Sequence, residues 1–440
     1  MSYTKPVKSL AAWQRAKQLM PGGAQLLSKR AEMFLPDQWP AYYTDAKGVE
    51  VTDMDGNTYT DMSFMGIGAC ILGYADRDVN AAVKQAIDRG SMSTLNCPEE
   101  IELAELLLEL HPWAEMARYA RTGGEALAVA MRIARAGSGK DQIAFCGYHG
   151  WHDWYIASNL SSDKNLDGHL LPGLDPKGIA RGLLGSALPF AYNHIEQLEA
   201  LTQQHNDIGV IVMEPARHHE PEDNFLQKVR ALADRIGAVL IFDEVTSAWR
   251  STLGGVHLKY GVLPDMAVFA KGMSNGFPMA AVIGKRAVMD AAQSSFISST
   301  YWTERIGPTA ALATIRKLRA VDAAAHIVQI GKMIGDGWQE LAAKHGLKIE
   351  VQTPPELVTC SFAYQNALAM RTFLTQEMLK RGYLAGASVY VSYAHTEEIV
   401  RKDLKTLDDV YGILRQAIDT NTVESRLEGP VAHSGFKRLT

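Results

Sequence analysis

Short apolar segments alternate with amphipathic helical patterns through the middle of this 440-residue chain. The apolar segments are QIAFC, IGVIVM, AVLIFD, MAVFA and AAVIG. Between two of them lies FLQKVRALADRIG, in which apolar residues recur at the spacing of one helix face. Strands that are apolar throughout are typical of a mostly parallel sheet that helices bury on both faces. The pattern therefore predicts an α/β fold.

The pattern changes twice along the chain, and each change predicts a domain boundary. Residues 1–75 begin with an amphipathic helix, which we expect Ser9 to cap, and continue with an antiparallel sheet around the hairpin signal Asp55-Gly56. Residues 76–325 hold the alternating strands and helices of a large α/β domain. Residues 326–440 return to mixed elements, so we expect a small α+β domain to which residues 1–75 also contribute.

Composition limits the expected partners and compartment. The formal net charge is −5 and no long basic or acidic run occurs, so neither nucleic acid nor an anionic membrane surface is an expected partner. No apolar stretch is long enough to cross a bilayer, and the first residues lack the apolar region of a signal peptide. The cysteines show no metal-ligand spacing and predict a reduced, cytoplasmic environment. They are Cys70, Cys97, Cys146 and Cys360.

Two charged residues stand at the ends of apolar strands. Lys271 follows MAVFA and Asp243 closes AVLIFD, although a lysine or a carboxylate is costly to bury unless it is paired. Lys271 could simply extend to solvent, and Asp243 could cap the next helix. Alternatively, both lie at the carboxyl ends of parallel strands, where open α/β sheets place their ligands. In that case the two side chains meet in one crevice.

A glycine turn and an aromatic segment indicate what such a crevice would hold. Thr122, Gly123 and Gly124 precede a helical pattern, so their backbone N–H groups and the helix dipole offer an anion site. Tyr148 lies in the segment GYHGWHDW, which either packs on the core or covers a planar ring.

The same aromatic segment carries two histidines that a metal could use. They are His149 and His152, and His218 and His219 lie further along the chain. Zinc sites need three or four ligands at characteristic spacings, and no third ligand stands at such a spacing here. We therefore predict no metal.

Together these features are the parts that pyridoxal phosphate (PLP) requires. A lysine amine can form an imine with the cofactor's aldehyde, and partial burial favours the neutral amine that this reaction needs. An aspartate can keep the pyridine nitrogen protonated, so that the ring accepts electrons from the substrate carbon. The glycine turn would hold the phosphate, and the aromatic side chain would cover the ring.

The chain resembles the class-III, fold-type I aminotransferases along nearly its whole length, and among them the glutamate-1-semialdehyde aminomutase branch. The resemblance is carried by the motifs LIFDEVTSAWR and GVLPDMAVFAKGMSNGFPMAAVIG. It implies a large domain with a mostly parallel seven-stranded sheet between helices, and a small α+β domain built from both chain ends. It also implies that Lys271 forms the Schiff base with PLP and moves the proton, that Asp243 pairs with the pyridine nitrogen and that Val245 packs on the ring.

Further site residues follow from the same resemblance. Gly123 and Gly124 match the phosphate-binding turn, and Tyr148 matches the aromatic residue over the ring. Glu214 matches a glutamate near the cofactor. Thr300 matches a threonine that reaches the phosphate of the neighbouring subunit, which implies a homodimer with shared active sites. The expected catalytic residues are Lys271, Asp243 and Tyr148.

The chain departs from the family pattern at several positions. The phosphate turn reads TGGEA where the family has Ser-Gly-Thr-Glu-Ala, so Gly124 lacks a hydroxyl that Thr122 is expected to replace in part. His219 stands where the aminomutases have an asparagine near the ring. Arg30, with Ser28, is a candidate for binding a substrate carboxylate, although a solvated surface arginine explains the position equally well.

Three functions are compatible with these features. The first is an aminotransferase that moves an amino group from an amino-acid donor to a keto or aldehyde acceptor. The second is glutamate-1-semialdehyde 2,1-aminomutase, which moves the amino group within one molecule, but residues 161–185 replace the gating loop of that enzyme. The third is a nicotinamide-dependent oxidoreductase, but the chain lacks G-x-G-x-x-G after its first strand. We expect the first.

Overall fold

The structure is a computed structural model, and it describes residues 4–169, 172–216, 219–352 and 354–435. The strands are β1 (Tyr43–Lys47), β2 (Glu50–Asp53), β3 (Thr58–Met62), β4 (Met116–Ala120), β5 (Gln142–Cys146), β6 (Ala187–Pro189), β7 (Ile208–Met213), β8 (Val239–Asp243), β9 (Met266–Phe269), β10 (Ala280–Gly284), β11 (Ile349–Gln352), β12 (Leu357–Phe362), β13 (Tyr383–Ala385) and β14 (Ser388–Tyr390). The helices are α1 (Val7–Leu19), α2 (Arg77–Asp88), α3 (Glu99–Leu110), α4 (Gly123–Ser138), α5 (Asp153–Ile156), α6 (Ile195–Gln204), α7 (Phe225–Ile236), α8 (His257–Tyr260), α9 (Arg286–Met289), α10 (Ile306–Ala320), α11 (Ala323–Lys344), α12 (Ala367–Leu379) and α13 (Glu397–Asp419). None of the helices in the described part of the chain is long and apolar enough to cross a membrane.

The apolar segments of the middle of the chain form one seven-stranded sheet. Its order is β4-β10-β9-β8-β7-β5-β6, and every neighbouring pair is parallel except those that β10 makes with β4 and β9. This confirms the predicted α/β fold with a mostly parallel sheet. Alternate residues of β7 serve the two faces. Val210 and Val212 belong to one core cluster with residues of α4, and Ile211 and Met213 belong to another with residues of α7.

The chain divides into two units. One is Arg77–Ala324, which holds the seven-stranded sheet, and the other combines Met1–Asp76 with Ala325–Thr440. In the second of these units β13 pairs in parallel with β3, so a strand from the C-terminal part completes the sheet begun by β1, β2 and β3. Strands β11, β12 and β14 form a separate antiparallel sheet. The small α+β unit built from both chain ends is therefore present, as the resemblance implies.

One hairpin turn also caps the first helix. Strands β2 and β3 pair antiparallel, and Gly56 between them has φ of 86°, so the predicted hairpin is confirmed. The predicted cap at Ser9 is wrong, because α1 begins at Val7 and Ser9 is buried within it. Instead, the carboxylate of Asp55 in the hairpin turn accepts hydrogen bonds from the backbone N–H groups of Lys8 and Ser9 at 2.8 and 2.9 Å.

The order of the large sheet brings three chain segments to one edge. Strands β8 and β9 are parallel, with Asp243 opposite Val268, and Lys271 follows β9 at the same edge. Strand β10 returns antiparallel, so Ala280 at its start pairs with Ala120 at the end of β4. The glycine turn, which follows β4, therefore lies at the same edge of the sheet as Lys271 and Asp243.

Candidate active site

Lys271 lies where β9 ends, and its backbone is strained. It has φ of 46°, in the left-handed region that residues other than glycine rarely adopt, and it begins the short 3-10 turn Lys271–Ser274. Its Nζ donates a hydrogen bond to Oγ1 of the buried Thr246 at 2.7 Å. Such a backbone costs on the order of 1–2 kcal/mol and is characteristic of functional sites. The contact between Thr246 and Lys271 was not predicted from the sequence.

Asp243 is buried, and protein groups contact both of its carboxylate oxygens. Oδ1 accepts a hydrogen bond from the backbone N–H of Val245 at 3.0 Å, and Oδ2 lies 2.7 Å from Nδ1 of His149. Nε2 of His149 lies 3.1 Å from the carbonyl oxygen of Cys146. Both ring nitrogens of His149 thus face oxygen atoms, and the ring links the carboxylate of Asp243 to the backbone at the end of β5. Nothing local in the sequence predicts this pair, and His149 stands there only as a candidate metal ligand.

The glycine turn forms the start of α4. Thr122 is the N-cap, because its Oγ1 accepts a hydrogen bond from the backbone N–H of Glu125 at 3.3 Å and the Glu125 carboxylate accepts one from the N–H of Thr122 at 3.0 Å. The helix thus uses the hydroxyl oxygen of Thr122. A Cβ at Gly123 would lie 2.8 Å from Cγ1 of Val245, so glycine is needed for this approach. The N–H groups that the first helical turn leaves without helical acceptors suit an anion.

Glu214 holds the aromatic segment in place. Its buried carboxylate accepts a hydrogen bond from the backbone N–H of Tyr148 at 3.0 Å. Gly147 has φ of 108°, and a Cβ there would lie 2.6 Å from Oε2 of Glu214, so the segment needs glycine at this position. The half-buried ring of Tyr148 packs edge-on against Tyr155, with 6.2 Å between ring centroids. Glu214 therefore fixes the point from which the Tyr148 ring projects.

Four other predicted site residues lie outside the set of contacts around Lys271 and Asp243. Thr300 begins a short 3-10 turn and is exposed, and His219 is also exposed. Ser28 and Arg30 belong to the unit formed by the chain ends. The guanidinium of Arg30 packs against Gly22, where a Cβ would lie 2.4 Å from Nη2. Within the described ranges, no three His, Cys, Asp or Glu side chains are placed to hold a metal ion.

The residues that follow Thr300 contact both α10 and the residue before the glycine turn. The Glu304 carboxylate accepts hydrogen bonds from the backbone N–H groups of Ile306 and Gly307 at 2.6 and 2.8 Å, so it caps α10. Oε1 of Glu304 also lies 2.7 Å from Nε of Arg121, the residue before the glycine turn. Arg121 in turn donates to the carbonyl oxygen of Trp302 at 3.0 Å. These contacts tie the segment after Thr300 to the start of the glycine turn.

Known proteins that match this chain identify its family. The chain matches the aminotransferase class-III family over residues 35–386. The chain belongs to the class-III aminotransferases. It is 31% identical over 411 residues to the 3-aminobutyryl-CoA aminotransferase of Cloacimonas acidaminovorans, a match that covers 90% of this chain and 94% of that protein.

Two further matches cover almost the whole aminotransferase. This chain is 30% identical over 435 residues to the glutamate-1-semialdehyde 2,1-aminomutase of Ignicoccus hospitalis. That match covers 92% of this chain and 99% of that protein. The fold is similar to that of the FumI protein of Sphingopyxis sp. MTA144 in a PLP-containing form, with a TM-score of 0.85, 23% identity and coverage of 94% and 98% of the two chains.

Family membership confirms the predicted activity and cofactor. The chain is a PLP-dependent aminotransferase that acts on a small-molecule amino donor and acceptor. The predicted fold-type I architecture and the resemblance to the aminomutase branch are confirmed as well. The nicotinamide-dependent alternative finds no support in these matches.

The residues at the edge of the sheet fit the cofactor. The buried carboxylate of Asp243 suits a protonated ring nitrogen, because a buried anion needs a cationic or hydrogen-bonding partner. The start of α4, where Gly123 leaves no room for a Cβ, suits a phosphate. The amine of Lys271 suits an aldehyde.

Proposed function

We propose that the enzyme transfers an amino group from an amino-acid donor to a keto or aldehyde acceptor, with Lys271 as the residue that holds PLP covalently. The observation that carries this proposal is the strained Lys271, which follows β9 while the buried Asp243 ends the adjacent strand β8. Two features of the chain that cost stability, a left-handed lysine and a buried carboxylate, occur at one edge of the sheet. Both are explained by the chemistry of this cofactor.

Each residue has a distinct task in this proposal. Bound PLP supplies an electron sink for the carbon that carries the amino group. Nζ of Lys271 accepts the proton that this carbon loses and returns it later, as general base and general acid. Asp243, held by His149, keeps a proton on the ring nitrogen. The start of α4 binds the phosphate, Tyr148 covers one face of the ring, and Val245 packs on the ring.

Borohydride reduction followed by peptide mapping tests the attachment point. We expect the reduced cofactor on Lys271 in the wild-type enzyme and no such adduct in the Lys271→Ala variant. Lys285→Ala is the matched control, because that lysine is paired with Asp265 at 2.8 Å and its removal should leave the adduct in place. An adduct on any other lysine of the wild-type enzyme would contradict the proposal.

A half-reaction separates transfer between molecules from transfer within one. Stoichiometric enzyme mixed with single amino acids is expected to release the matching keto acid. Rapid conversion of glutamate-1-semialdehyde to 5-aminolevulinate without a separate donor would instead support the aminomutase. The packing at Leu166, in the described part of residues 161–185, supports the former, since Leu166 is buried and its backbone N–H donates to Asn159 at 3.0 Å. The described part of this segment is thus folded onto its own unit.

Homodimer formation is the next part of the proposal. Phe296 and Tyr301 are 87% and 71% exposed, so large apolar side chains flank Thr300. Exposed apolar side chains of this size mark interaction surfaces when they cluster. Light scattering is expected to give twice the mass of one chain, and the double variant Phe296→Ser/Tyr301→Ser to shift the mass towards one chain. Leu263→Ser, another exposed apolar position, is the control that leaves the mass unchanged.

Arg30 is proposed to bind a carboxylate group of the substrate. Its guanidinium is packed against the backbone at Gly22, which restricts its direction. We expect Arg30→Ala to raise KM for carboxylate substrates by about tenfold or more, as for loss of one charge-assisted hydrogen bond, and to leave amines without a carboxylate unaffected. An equal rise in KM for substrates with and without a carboxylate would show that Arg30 does not bind that group. Ser28 and His219 are proposed as further substrate contacts and are tested by the same comparison.

A cytoplasmic location is also proposed. All four cysteines are unpaired thiols, and burial raises the pKa of Cys146 and Cys360 well above the usual range. Unpaired, unreactive cysteines are usual in reducing compartments. Cell fractionation with an antibody against the enzyme tests this, and enrichment in a secreted fraction would contradict it.

A further inference from the structure

The space beside Gly124 is filled by His152. A Cβ at Gly124 would lie 2.9 Å from both Nδ1 and Cε1 of the His152 ring. Cβ atoms do not approach other heavy atoms this closely, so a larger residue at position 124 would displace the imidazole. The family pattern has a threonine at this position of the phosphate-binding turn, and here the volume of that threonine is taken by a ring from the aromatic segment.

The neighbours of His152 keep its ring against the turn. Trp151 packs beside it, with 4.5 Å between the ring centroids and 31° between the planes, and Cδ1 of Trp151 would lie 3.9 Å from the same Cβ at Gly124. Gly150 has φ of 94°, and a Cβ there would lie 3.4 Å from Cα of Gly124, so the segment runs close to the start of α4. The His152 side chain makes no capping bond to α5, although it stands at the N-cap position of that helix. Its direction is thus set by packing and not by a local hydrogen bond.

Nδ1 of His152 is buried and has no hydrogen-bond partner among the described residues. Buried polar atoms almost always have a partner, which can be a ligand. Burial lowers the pKa of His152, and the charges of Glu125 and Asp153 oppose that shift in part. A neutral imidazole still carries one N–H, which can lie on Nδ1. An anion bound at the start of α4 would be the acceptor for that N–H.

We propose that His152 supplies the phosphate-binding turn with the side-chain donor that Gly124 lacks. The inference rests on the proposed function, in which Gly123 and Gly124 hold the cofactor phosphate. It adds His152 to Thr122, whose hydroxyl oxygen accepts the N–H of Glu125 at the N-terminus of α4 and whose O–H can still donate.

Titration of full-length apoenzyme with PLP and with pyridoxal, which has no phosphate, tests the proposal. His152→Phe keeps the ring volume and removes the donor, so we expect the Kd for PLP to rise about tenfold, as for loss of one charge-assisted hydrogen bond. The Kd for pyridoxal is expected to stay unchanged. His194→Phe, at an exposed histidine paired with Glu196, is the matched control and leaves both constants unchanged.

A double variant distinguishes a phosphate contact from a structural role. His152→Ala makes room at position 124, so His152→Ala/Gly124→Thr is expected to bind PLP within about threefold of wild type, while His152→Ala alone binds about tenfold more weakly. Equal weakening for PLP and pyridoxal, unchanged binding in His152→Phe, or no recovery in the double variant would each overturn the proposal. If the proposed function itself is wrong, the wild-type enzyme will lack the borohydride adduct on Lys271. That result is distinct from any outcome of the His152 binding experiments.

Discussion

Nδ1 of His149 lies 2.7 Å from Oδ2 of Asp243, and the exposed fractions of the two side chains are 0% and 3%. Water does not reach this contact, so nothing screens it. A carboxylate that keeps a proton on a ring nitrogen must point at that nitrogen, and His149 together with the N–H of Val245 fixes its direction. The pair also connects the aromatic segment to the end of β8.

Replacing His149 by glutamine is expected to lower kcat/KM about 10- to 100-fold, because it removes a charge-assisted hydrogen bond worth about 1.5–3 kcal/mol. Steady-state kinetics at saturating PLP measure the effect. His205→Gln, at a histidine that faces Gln142 at 3.4 Å, is the control and is expected to keep the wild-type rate. If both variants turn over alike, His149 has no part in positioning Asp243.

The hydroxyl of Thr246 is the acceptor for Nζ of Lys271. Thr246→Val keeps the shape and removes the hydroxyl, so we expect kcat to fall about tenfold, while Thr246→Ser retains the hydroxyl and stays within about threefold of wild type. Single-turnover measurements with one amino donor compare the two variants. Equal rates in the valine and serine variants would show that packing, and not the hydrogen bond, is what Thr246 contributes.

Two replacements of Lys271 separate its effect on turnover from the effect of its left-handed backbone on stability. Both Lys271→Ala and Lys271→Asn are expected to lower turnover by at least about a thousandfold, because the proposed function gives the proton transfer to this amine. Asparagine tolerates the left-handed backbone better than alanine, so the asparagine variant is expected to be more stable by up to about 1 kcal/mol. Thermal unfolding of the two apoenzymes measures this. A less stable asparagine variant would show that the left-handed backbone at position 271 is not strained.

Glu244, which follows Asp243, is fully buried and paired with His257. Nδ1 of His257 lies 2.7 Å from its Oε1, and Oγ of Ser247 donates to its Oε2 at 2.6 Å. Burial alone would raise the pKa of Glu244, but these hydrogen bonds hold it below the usual value. The charged carboxylate therefore stabilises the fold above the ordinary glutamate pKa of about 4.3, and this stability is lost as pH falls through the lower pKa of the folded state.

Thermal unfolding between pH 3 and pH 7 is the measurement for Glu244. Glu244→Gln is expected to lower the unfolding midpoint at pH 7 and to approach wild type as the pH falls, with a loss of about 3–5 kcal/mol at neutral pH. Glu196→Gln, at an exposed glutamate, provides the control and changes the midpoint little at any pH. A pH-independent difference for Glu244→Gln would attribute its effect to packing and not to charge.

Asp403 on α13 has the opposite pH dependence. It is buried, its Oδ1 has no hydrogen-bond partner within the described part of the chain, and burial raises its pKa to about 7. The fold favours the protonated acid, so ionisation lowers stability as pH rises from about 4 to about 7. Asp403→Asn is expected to stabilise the protein by up to about 4 kcal/mol at pH 8 and not at pH 4. Thermal melts compare it with Asp409→Asn, which changes an exposed carboxylate of the same helix. Equal gains at both pH values would mean that Asp403 is not ionised at pH 8.

The sheet, and the positions of Lys271 and Asp243 at the ends of two neighbouring strands, could be predicted because their signals are local. A charged residue at the end of an apolar strand is visible in a few letters of sequence, and Lys271 and Asp243 both have that context. The partners of these residues could not be predicted in the same way. His149 and Asp243 are 94 positions apart, and Thr246 and Lys271 are 25 apart, so only the sheet order brings them together.

The misplaced helix cap has the same physical origin. Ser9 is a good local candidate for an N-cap, but Asp55 reaches the start of α1 from 46 positions away and satisfies its N–H groups. Glu214 was expected near the cofactor from resemblance alone, and the structure gives it a contact with the backbone of Tyr148. One local sign was available, because Gly147 next to Tyr148 is the residue type that such a close carboxylate requires.

The contact between Gly124 and His152 also constrains how related sequences can change. An imidazole at position 152 and a side chain at position 124 compete for one volume, so a larger residue at position 124 requires a smaller one at position 152. Among relatives, a hydroxyl residue at position 124 is expected to accompany a small residue at position 152. The two positions are therefore expected to covary across the family tree.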